Sequence, residues 1–150
     1  MKKIILSLIL IFSINLYAKD KYKPYANFTY GDGKENVYVF INPGCGYCVQ
    51  LMNKIELFEH SFTYNFYFID MKFLEKGGRM INVILTGDKD TRFNKTLTLM
   101  KGNGFMDVER TEKMDRSLKR NKIIFDNKKL GGVPAILNDY GRKISIDNLF

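Results

Sequence analysis

The sequence predicts an α/β domain in which a mixed central sheet is flanked by helices. Three observations lead to this prediction: a continuously apolar segment precedes one with helical spacing, a second apolar segment follows it, and a hairpin pattern closes the chain. A strand, a helix and a strand in succession form a crossover with parallel strands, whereas a hairpin pairs its strands antiparallel. The sheet is therefore expected to be mixed.

The amino terminus has the order of a secretory signal peptide. Two lysines open the chain after Met1, an apolar segment runs from Ile4 to Leu16, and Ala18 precedes a charged pair. The apolar segment is shorter than the about 20 residues that a membrane span needs, and an uncleaved membrane anchor is the alternative. We expect a signal peptide over residues 1–18, export to the periplasm, and one domain over residues 19–150.

The composition is that of a folded chain, because 45% of the residues are hydrophobic and 14% are aromatic. The formal net charge is +8, but basic residues are interspersed with acidic and apolar ones, as in KRNKIIFDNKK. This pattern is typical of a solvated surface. Together with the predicted export, it argues against a nucleic-acid partner.

Two strands and a helix are predicted in the first half of the domain. The run VYVFI, from Val37 to Ile41, is continuously apolar, which indicates a central strand buried on both faces. Asn42-Pro43-Gly44 ends this strand, and apolar residues then recur at helical spacing from Cys45. FTYNFYFID, residues 62–70, predicts a second strand, parallel to the first.

A helical insertion and a hairpin are predicted in the second half. Gly77-Gly78 is interpreted as a break, and helices are expected on both sides of TGDKD. A further helix is expected in DVERTEKMDRSLKRNKIIFDNKKLGG, ending at Gly131-Gly132. VPAIL and RKISI, which flank the turn from Asn138 to Gly141, predict an antiparallel strand pair.

The two cysteines lie at the start of the first predicted helix. Cys45 comes at the helix amino end, where unpaired backbone N–H groups stabilise a thiolate, so it is the expected nucleophile. Cys48 falls on the apolar stripe with Leu51 and Ile55 and is placed to resolve a mixed disulfide formed at Cys45. Cys45 and Cys48 are thus the predicted catalytic pair of a redox-active centre.

Two other roles for the cysteine pair are less favoured. A disulfide that closes so short a loop removes little entropy from the unfolded chain, which argues against a stabilising structural disulfide. An inert cysteine pair is an alternative. A zinc site needs two further ligands, and His60 is the only histidine. We therefore expect no metal and no cofactor, and we interpret His60 as a surface or capping residue.

The order of these elements, with Cys-x-x-Cys at a helix start and GGVPAIL before a closing hairpin, resembles the thioredoxin superfamily. CGYC and the insertion resemble, more narrowly, the catalytic domain of the periplasmic DsbC/DsbG disulfide isomerases. The resemblance covers about Phe28 to Ile146 and implies a thioredoxin-like fold with a helical insertion before the cis-proline strand. It also implies a cis bond before Pro134, and a substrate-binding role for Val133 and Pro134. Tyr47 is expected to contact substrate at the rim.

Two departures from the family influence the functional prediction. The amino-terminal dimerisation domain of these isomerases is not seen, so a monomer that acts as a reductase or thiol donor is expected. The chain stops at DNLF, where the fold usually continues into a helix, so another segment or a partner is expected to cover that face of the sheet.

The sequence therefore predicts an exported thiol:disulfide oxidoreductase that reduces or exchanges disulfides in cysteine-containing envelope proteins. A membrane thiol electron donor is the expected redox partner. The alternative is a non-catalytic thioredoxin-like scaffold or interaction module in an envelope assembly. The pattern does not fix the direction of exchange, and it does not assign a proton acceptor among Glu35, Glu56 and Asp70.

Overall fold

The computed structural model describes residues 21–58 and 61–150. The strands are β1 Phe28–Tyr30, β2 Glu35–Ile41, β3 Phe62–Phe68, β4 Ala135–Leu137 and β5 Lys143–Ile144. The helices are α1 Gly46–Leu57, α2 Glu75–Leu85, α3 Arg92–Met100 and α4 Glu112–Asn127, and short 3₁₀ turns occur at Lys23–Tyr25, Lys89–Thr91 and Ile146–Leu149. Within these ranges no helix combines the length and apolar character needed to span a membrane. The predicted signal peptide and His60 lie outside the described residues.

The five strands form one mixed sheet in the order β1-β3-β2-β4-β5. β2 and β3 are parallel, whereas the other neighbouring pairs are antiparallel. The predicted mixed sheet, the central position of β2 and the closing hairpin are thus confirmed. Because α1 connects β2 to β3 as a crossover, the carboxyl ends of both strands lie at the same edge of the sheet.

The central strand is apolar from Val37 to Ile41 because each of its faces packs against other segments there. Val37, Val39 and Ile41 face a cluster that includes side chains of α1, α2 and α3. Tyr38 and Phe40 point to the opposite face, in a cluster with residues of α4 and the amino-terminal turn. This double burial explains why β2 was recognisable from sequence as a continuous apolar run.

Segments of this chain pack on both faces of the sheet. On one face the ring of Phe125, from α4, lies 6.0 Å from that of Phe40, and the ring of Tyr22 lies 5.6 Å from that of Tyr38. On the other face the closing 3₁₀ turn buries Leu149 in the same cluster as α1. The short turn thus occupies a place where the resemblance implied a longer helix.

The insertion between β3 and β4 consists of α2, α3 and α4, as the periodicity predicted, but its glycines behave differently. Gly77 and Gly78 were expected to break the chain; this prediction is wrong, because both lie buried in the first turns of α2. The end of α4 was also placed too late. The helix stops at Asn127, and Lys129 and Gly131 then adopt φ values of 51° and 75°, which turn the chain towards β4.

We predict that Phe125 holds α4 on the sheet. Replacing Phe125, which is 5% exposed, with alanine should lower the free energy of unfolding by about 3 kcal/mol, because it leaves a cavity against Phe40. Ile123→Ala is the matched control on the same helix, since Ile123 is 60% exposed, and should cost less than about 1 kcal/mol. Urea unfolding measures both. Equal losses would contradict this role of Phe125.

Candidate functional site

Both cysteines lie at the edge of the sheet where β2 and β3 end. Cys45 is the N-cap residue of α1, with extended backbone angles of φ −92° and ψ 121°, and it is half-buried. Cys48, in the first turn, is 0% exposed and packs in the core cluster. Both thiols are free. The predicted placement, with one accessible and one buried sulfur, is confirmed.

The first turn of α1 has no side-chain cap. Cys45 occupies the position where a serine or aspartate side chain usually accepts hydrogen bonds from the helix N–H groups, yet its sulfur makes no such bond. The first turn also carries no acidic side chain. The positive end of the helix dipole is therefore not neutralised by a carboxylate of that turn.

Asn42 organises the loop that carries the cysteines. Its side chain is 0% exposed; Nδ2 donates to the Ile69 carbonyl at 2.8 Å, and Oδ1 accepts from the Gly44 N–H at 2.8 Å. The Asn42 carbonyl accepts from the Cys45 N–H at 3.0 Å. Asn42 thus joins the end of β2 to the chain that follows β3, and it holds the loop that leads to Cys45.

From its sequence context Asn42 is predicted only to end β2, together with Pro43 and Gly44. The signal for a larger role was a short polar residue between a fully buried strand and Pro43-Gly44, since Asn favours a turn closed by its own side chain. Such a turn could be anticipated from the sequence. The bond to Ile69 could not, because it joins residues that are distant along the chain.

The close packing of α2 explains why glycine occupies position 77. A Cβ atom added to Gly77 would lie 1.9 Å from Asn42 Oδ1 and 2.8 Å from the Gly44 nitrogen. Both distances are too short for nonbonded atoms, so only glycine allows α2 to approach the loop this closely. Gly77 therefore marks a contact with the cysteine loop, and this is the physical reason that the predicted break is wrong.

Burial governs the ionisation of the resolving position. Removal from water raises the pKa of the Cys48 thiol well above its ordinary value of 9.0, and the neighbouring Cys45 acts in the same direction. A backbone hydrogen bond from Asn42 opposes this shift but is the smaller effect. Cys48 therefore keeps its proton at neutral pH.

The segment before β4 completes the site. The Val133–Pro134 peptide bond is cis, as the resemblance implied. The Cys45 thiol donates to the Val133 carbonyl at a distance of 3.5 Å. Val133 and Pro134 are partly exposed, and Tyr47 is 73% exposed on the first turn of α1. The structure thus brings Cys45 against Val133, while Tyr47 is open to solvent.

The three carboxylates considered as proton acceptors are engaged or placed elsewhere. Glu35 begins β2, at the end of the strand remote from the cysteines. Glu56 pairs with Lys101 at 3.0 Å, and Asp70 pairs with Arg110 at 2.5 Å. None of these three carboxylates is among the groups that shift the pKa of Cys48. None of the three carboxylates is therefore assigned as the proton acceptor of Cys48.

Comparisons with known proteins support the fold. No protein-family model matches the sequence, and no curated protein sequence matches it. Solved structures do resemble this chain. The catalytic domain of Proteus mirabilis ScsC is 17% identical to it with a TM-score of 0.64, and the alignment covers 91% of this chain and 90% of the ScsC domain. A disulfide interchange protein from Neisseria gonorrhoeae is 18% identical with a TM-score of 0.61, covering 79% and 83%.

A third structure, the thiol-disulfide exchange protein alpha-DsbA2 from Wolbachia pipientis, is 13% identical with a TM-score of 0.61, covering 91% of this chain and 92% of its own. At such low identities these likenesses establish the fold. The chain has a thioredoxin-like fold, with a mixed sheet flanked by helices and a helical insertion before the cis-proline strand. The narrower DsbC/DsbG resemblance stays a prediction.

We predict that Asn42→Ala lowers the free energy of unfolding by about 1–3 kcal/mol, since it leaves the Ile69 carbonyl and the Gly44 N–H without their partner. Asn94→Ala, at an exposed position on α3, is the matched control and should change stability by less than about 0.5 kcal/mol. Denaturant titration of both variants measures the difference. If Asn42→Ala is as stable as Asn94→Ala, the loop does not depend on this side chain.

The raised pKa of Cys48 predicts a pH-dependent stability of the reduced protein. Above pH 9.0 the unfolded thiol ionises while the folded thiol keeps its proton, so this contribution is present at lower pH and is lost as the pH rises. The stability of the reduced wild type relative to Cys48→Ala should fall by up to about 1.4 kcal/mol per pH unit above that point. Unfolding curves in a phosphine reductant, from about pH 8 to pH 10, test this. Parallel pH dependences would contradict it.

Proposed function

We propose that the protein is an exported thiol:disulfide oxidoreductase that reduces or exchanges disulfides in cysteine-containing envelope proteins. The observation that carries the proposal is the pairing of a partly buried thiol at the N-cap position of α1, Cys45, with a fully buried second thiol one turn later, Cys48. The thioredoxin-like fold and the cis bond before Pro134 support it. The similar solved structures include proteins described as disulfide interchange and thiol-disulfide exchange proteins.

In the first step, Cys45 acts as the nucleophile. As a thiol it donates to the Val133 carbonyl, and after losing this proton its sulfur is stabilised by the N–H groups of the α1 first turn. The thiolate attacks one sulfur of a substrate disulfide. A Cys45–substrate bond forms, the substrate S–S bond breaks, and the second substrate sulfur leaves as a thiolate that takes up a proton.

In the second step, Cys48 releases the substrate. Its proton passes to the departing sulfur or to water, and its sulfur attacks Cys45, so that a Cys45–Cys48 disulfide forms while the mixed disulfide breaks. The substrate has gained two electrons and two protons and leaves as a dithiol. A thiol electron donor, which we place in the membrane, must then reduce Cys45–Cys48 before the next cycle.

Substrate is proposed to bind across the segment before β4. The Val133 carbonyl already contacts Cys45, so an extended substrate that pairs with this backbone would bring its disulfide to the attacking sulfur. Pro134 shapes that edge, and the exposed ring of Tyr47 offers an apolar contact at the rim. These contacts use backbone groups and one aromatic side chain, neither of which selects a particular substrate side chain. Such a site would accept disulfides in substrates of many different sequences.

The proposed type is a monomeric reductase or thiol donor of the DsbC/DsbG kind, with little isomerase activity, in the periplasm. Net reduction by the two-step route needs a single cysteine pair, and hence a single copy of the chain. Sedimentation equilibrium combined with an insulin reduction assay tests this. The expected result is a monomer that reduces insulin; a stable dimer that efficiently refolds scrambled multi-disulfide proteins would contradict it.

We predict that Cys48→Ala accumulates mixed disulfides with envelope proteins, because Cys45 still attacks but the intramolecular release is lost. Cys45→Ala should accumulate none, since the remaining sulfur is buried and protonated. Both variants are expressed in the native envelope, quenched with acid, alkylated and compared on non-reducing gels. Cys45→Ala/Cys48→Ala is the control for adducts that do not depend on either cysteine.

Adducts of equal intensity in the two single variants, or in Cys45→Ala alone, would contradict the assigned roles. If neither variant forms adducts above the double variant, the result favours the alternative, a thioredoxin-like scaffold without catalytic activity.

A further inference from the structure

A cleft separate from the cysteine site lies between the amino-terminal turn, α4 and the segment that joins α2 to α3. Its volume is about 370 Å³, within the range of roughly 300–1,000 Å³ that is usual for small-molecule sites. Five basic side chains line it: Lys89, Arg92, Lys113, Arg116 and Arg120. Among the described residues that line the cleft, none carries a carboxylate.

Two of these cations are held in place by the fold. The Arg92 guanidinium donates to the carbonyls of Gly87, Asn27 and Leu85, at 2.9, 2.6 and 3.0 Å. Arg120 lies over the ring of Tyr25, with its guanidinium carbon 4.8 Å from the ring centroid. Three hydrogen bonds therefore hold the Arg92 charge in the wall of the cleft, whereas Arg120 is exposed and is positioned only by its contact with the Tyr25 ring.

Two other cations are available for a ligand. Within residues 21–58 and 61–150, the side chains of Lys89 and Lys113 make no ion pair or hydrogen bond, whereas Arg116 pairs with the exposed Glu112. Like charges that converge without partners repel one another, so their convergence in a concavity favours the binding of an anion. Burying a phosphate between them would relieve this repulsion.

Polar groups of α4 add to the same site. Thr111 and Met114, at the amino end of this 16-residue helix, line the cleft, but the Thr111 hydroxyl already accepts from the Met114 N–H and the first turn carries Glu112 and Asp115, so the helix end itself adds little positive charge. Ser117 Oγ accepts from Asn27 Nδ2 at 3.0 Å, which leaves the Ser117 hydroxyl proton free to donate. Leu85, Met114 and Pro24 supply apolar walls that strengthen these interactions.

We propose that this cleft binds a phosphate-bearing anion, either free in solution or as the headgroup of an anionic lipid. Several cations and donors converge from three segments of the chain, which suits a group with more than one negative charge and several acceptor oxygens. Its lining includes none of the cysteine-site residues, so the proposal does not rest on the redox function.

The test compares full-length protein, in a non-ionic detergent, with variants that remove two cations. Wild type is titrated with pyrophosphate and with glycerol 3-phosphate at constant ionic strength, and binding is measured by calorimetry and by the rise in Tm. Lys89→Gln/Lys113→Gln removes the two available cations. Lys34→Gln/Lys119→Gln removes the same charge from positions outside the cleft, with Lys119 on the same helix.

The expected result is saturable binding whose Kd rises about tenfold or more in Lys89→Gln/Lys113→Gln and stays within about twofold in the control. Arg116→Gln gives a second cleft variant, expected to weaken binding in the same direction. Equal losses in cleft and control variants, or no saturable binding by wild type to either phosphates or vesicles, would overturn the proposal.

Vesicles distinguish the two sources of phosphate. The same proteins are floated with phosphatidylglycerol vesicles and with neutral phosphatidylcholine vesicles. A preference for phosphatidylglycerol that is lost in Lys89→Gln/Lys113→Gln but kept in the control identifies a lipid headgroup. Binding of free phosphates without such a preference identifies a soluble ligand.

Discussion

The geometry of the dithiol depends on how the chain leaves β2. The Ile69 N–H donates to the Ile41 carbonyl at 2.9 Å, which continues the parallel pairing to the edge of the sheet. Asn42 extends this link by one further bond to Ile69 and then closes the loop on Gly44. Because the Asn42–Ile69 bond is buried, water does not readily replace it, and this stabilises the loop conformation that places Cys45 at the N-cap position.

The large elements could be predicted because each is dictated by a strong pattern. β2 is buried on both faces from Val37 to Ile41 and is therefore apolar over that run, and α1 buries one face and therefore shows helical spacing. β1 was not predicted, since a strand of three residues gains its stability from pairing with β3 rather than from its own sequence. Gly77 was misinterpreted because a glycine needed for close approach looks the same in sequence as one that ends a helix.

The candidate site could be predicted only in part, for a related reason. Cys45, Cys48 and Pro134 carry recognisable patterns, and their placement agrees with the prediction. The Val133 carbonyl and the Asn42 side chain act through contacts between distant segments, which no local pattern encodes. The basic cleft could not be predicted either, because its lining residues come from three parts of the chain. In the sequence these basic residues are indistinguishable from scattered surface charges.

The central claim is that Cys45 and Cys48 form one reversible two-electron couple. It is tested most directly by equilibrating the protein with glutathione buffers of increasing oxidised fraction, quenching, alkylating the free thiols and weighing the products. The predicted result is a single reversible transition in which both thiols are lost together and an intramolecular disulfide appears. Thiols that persist in the most oxidising buffer, or a glutathione adduct on Cys45 that Cys48 does not displace, would contradict the claim.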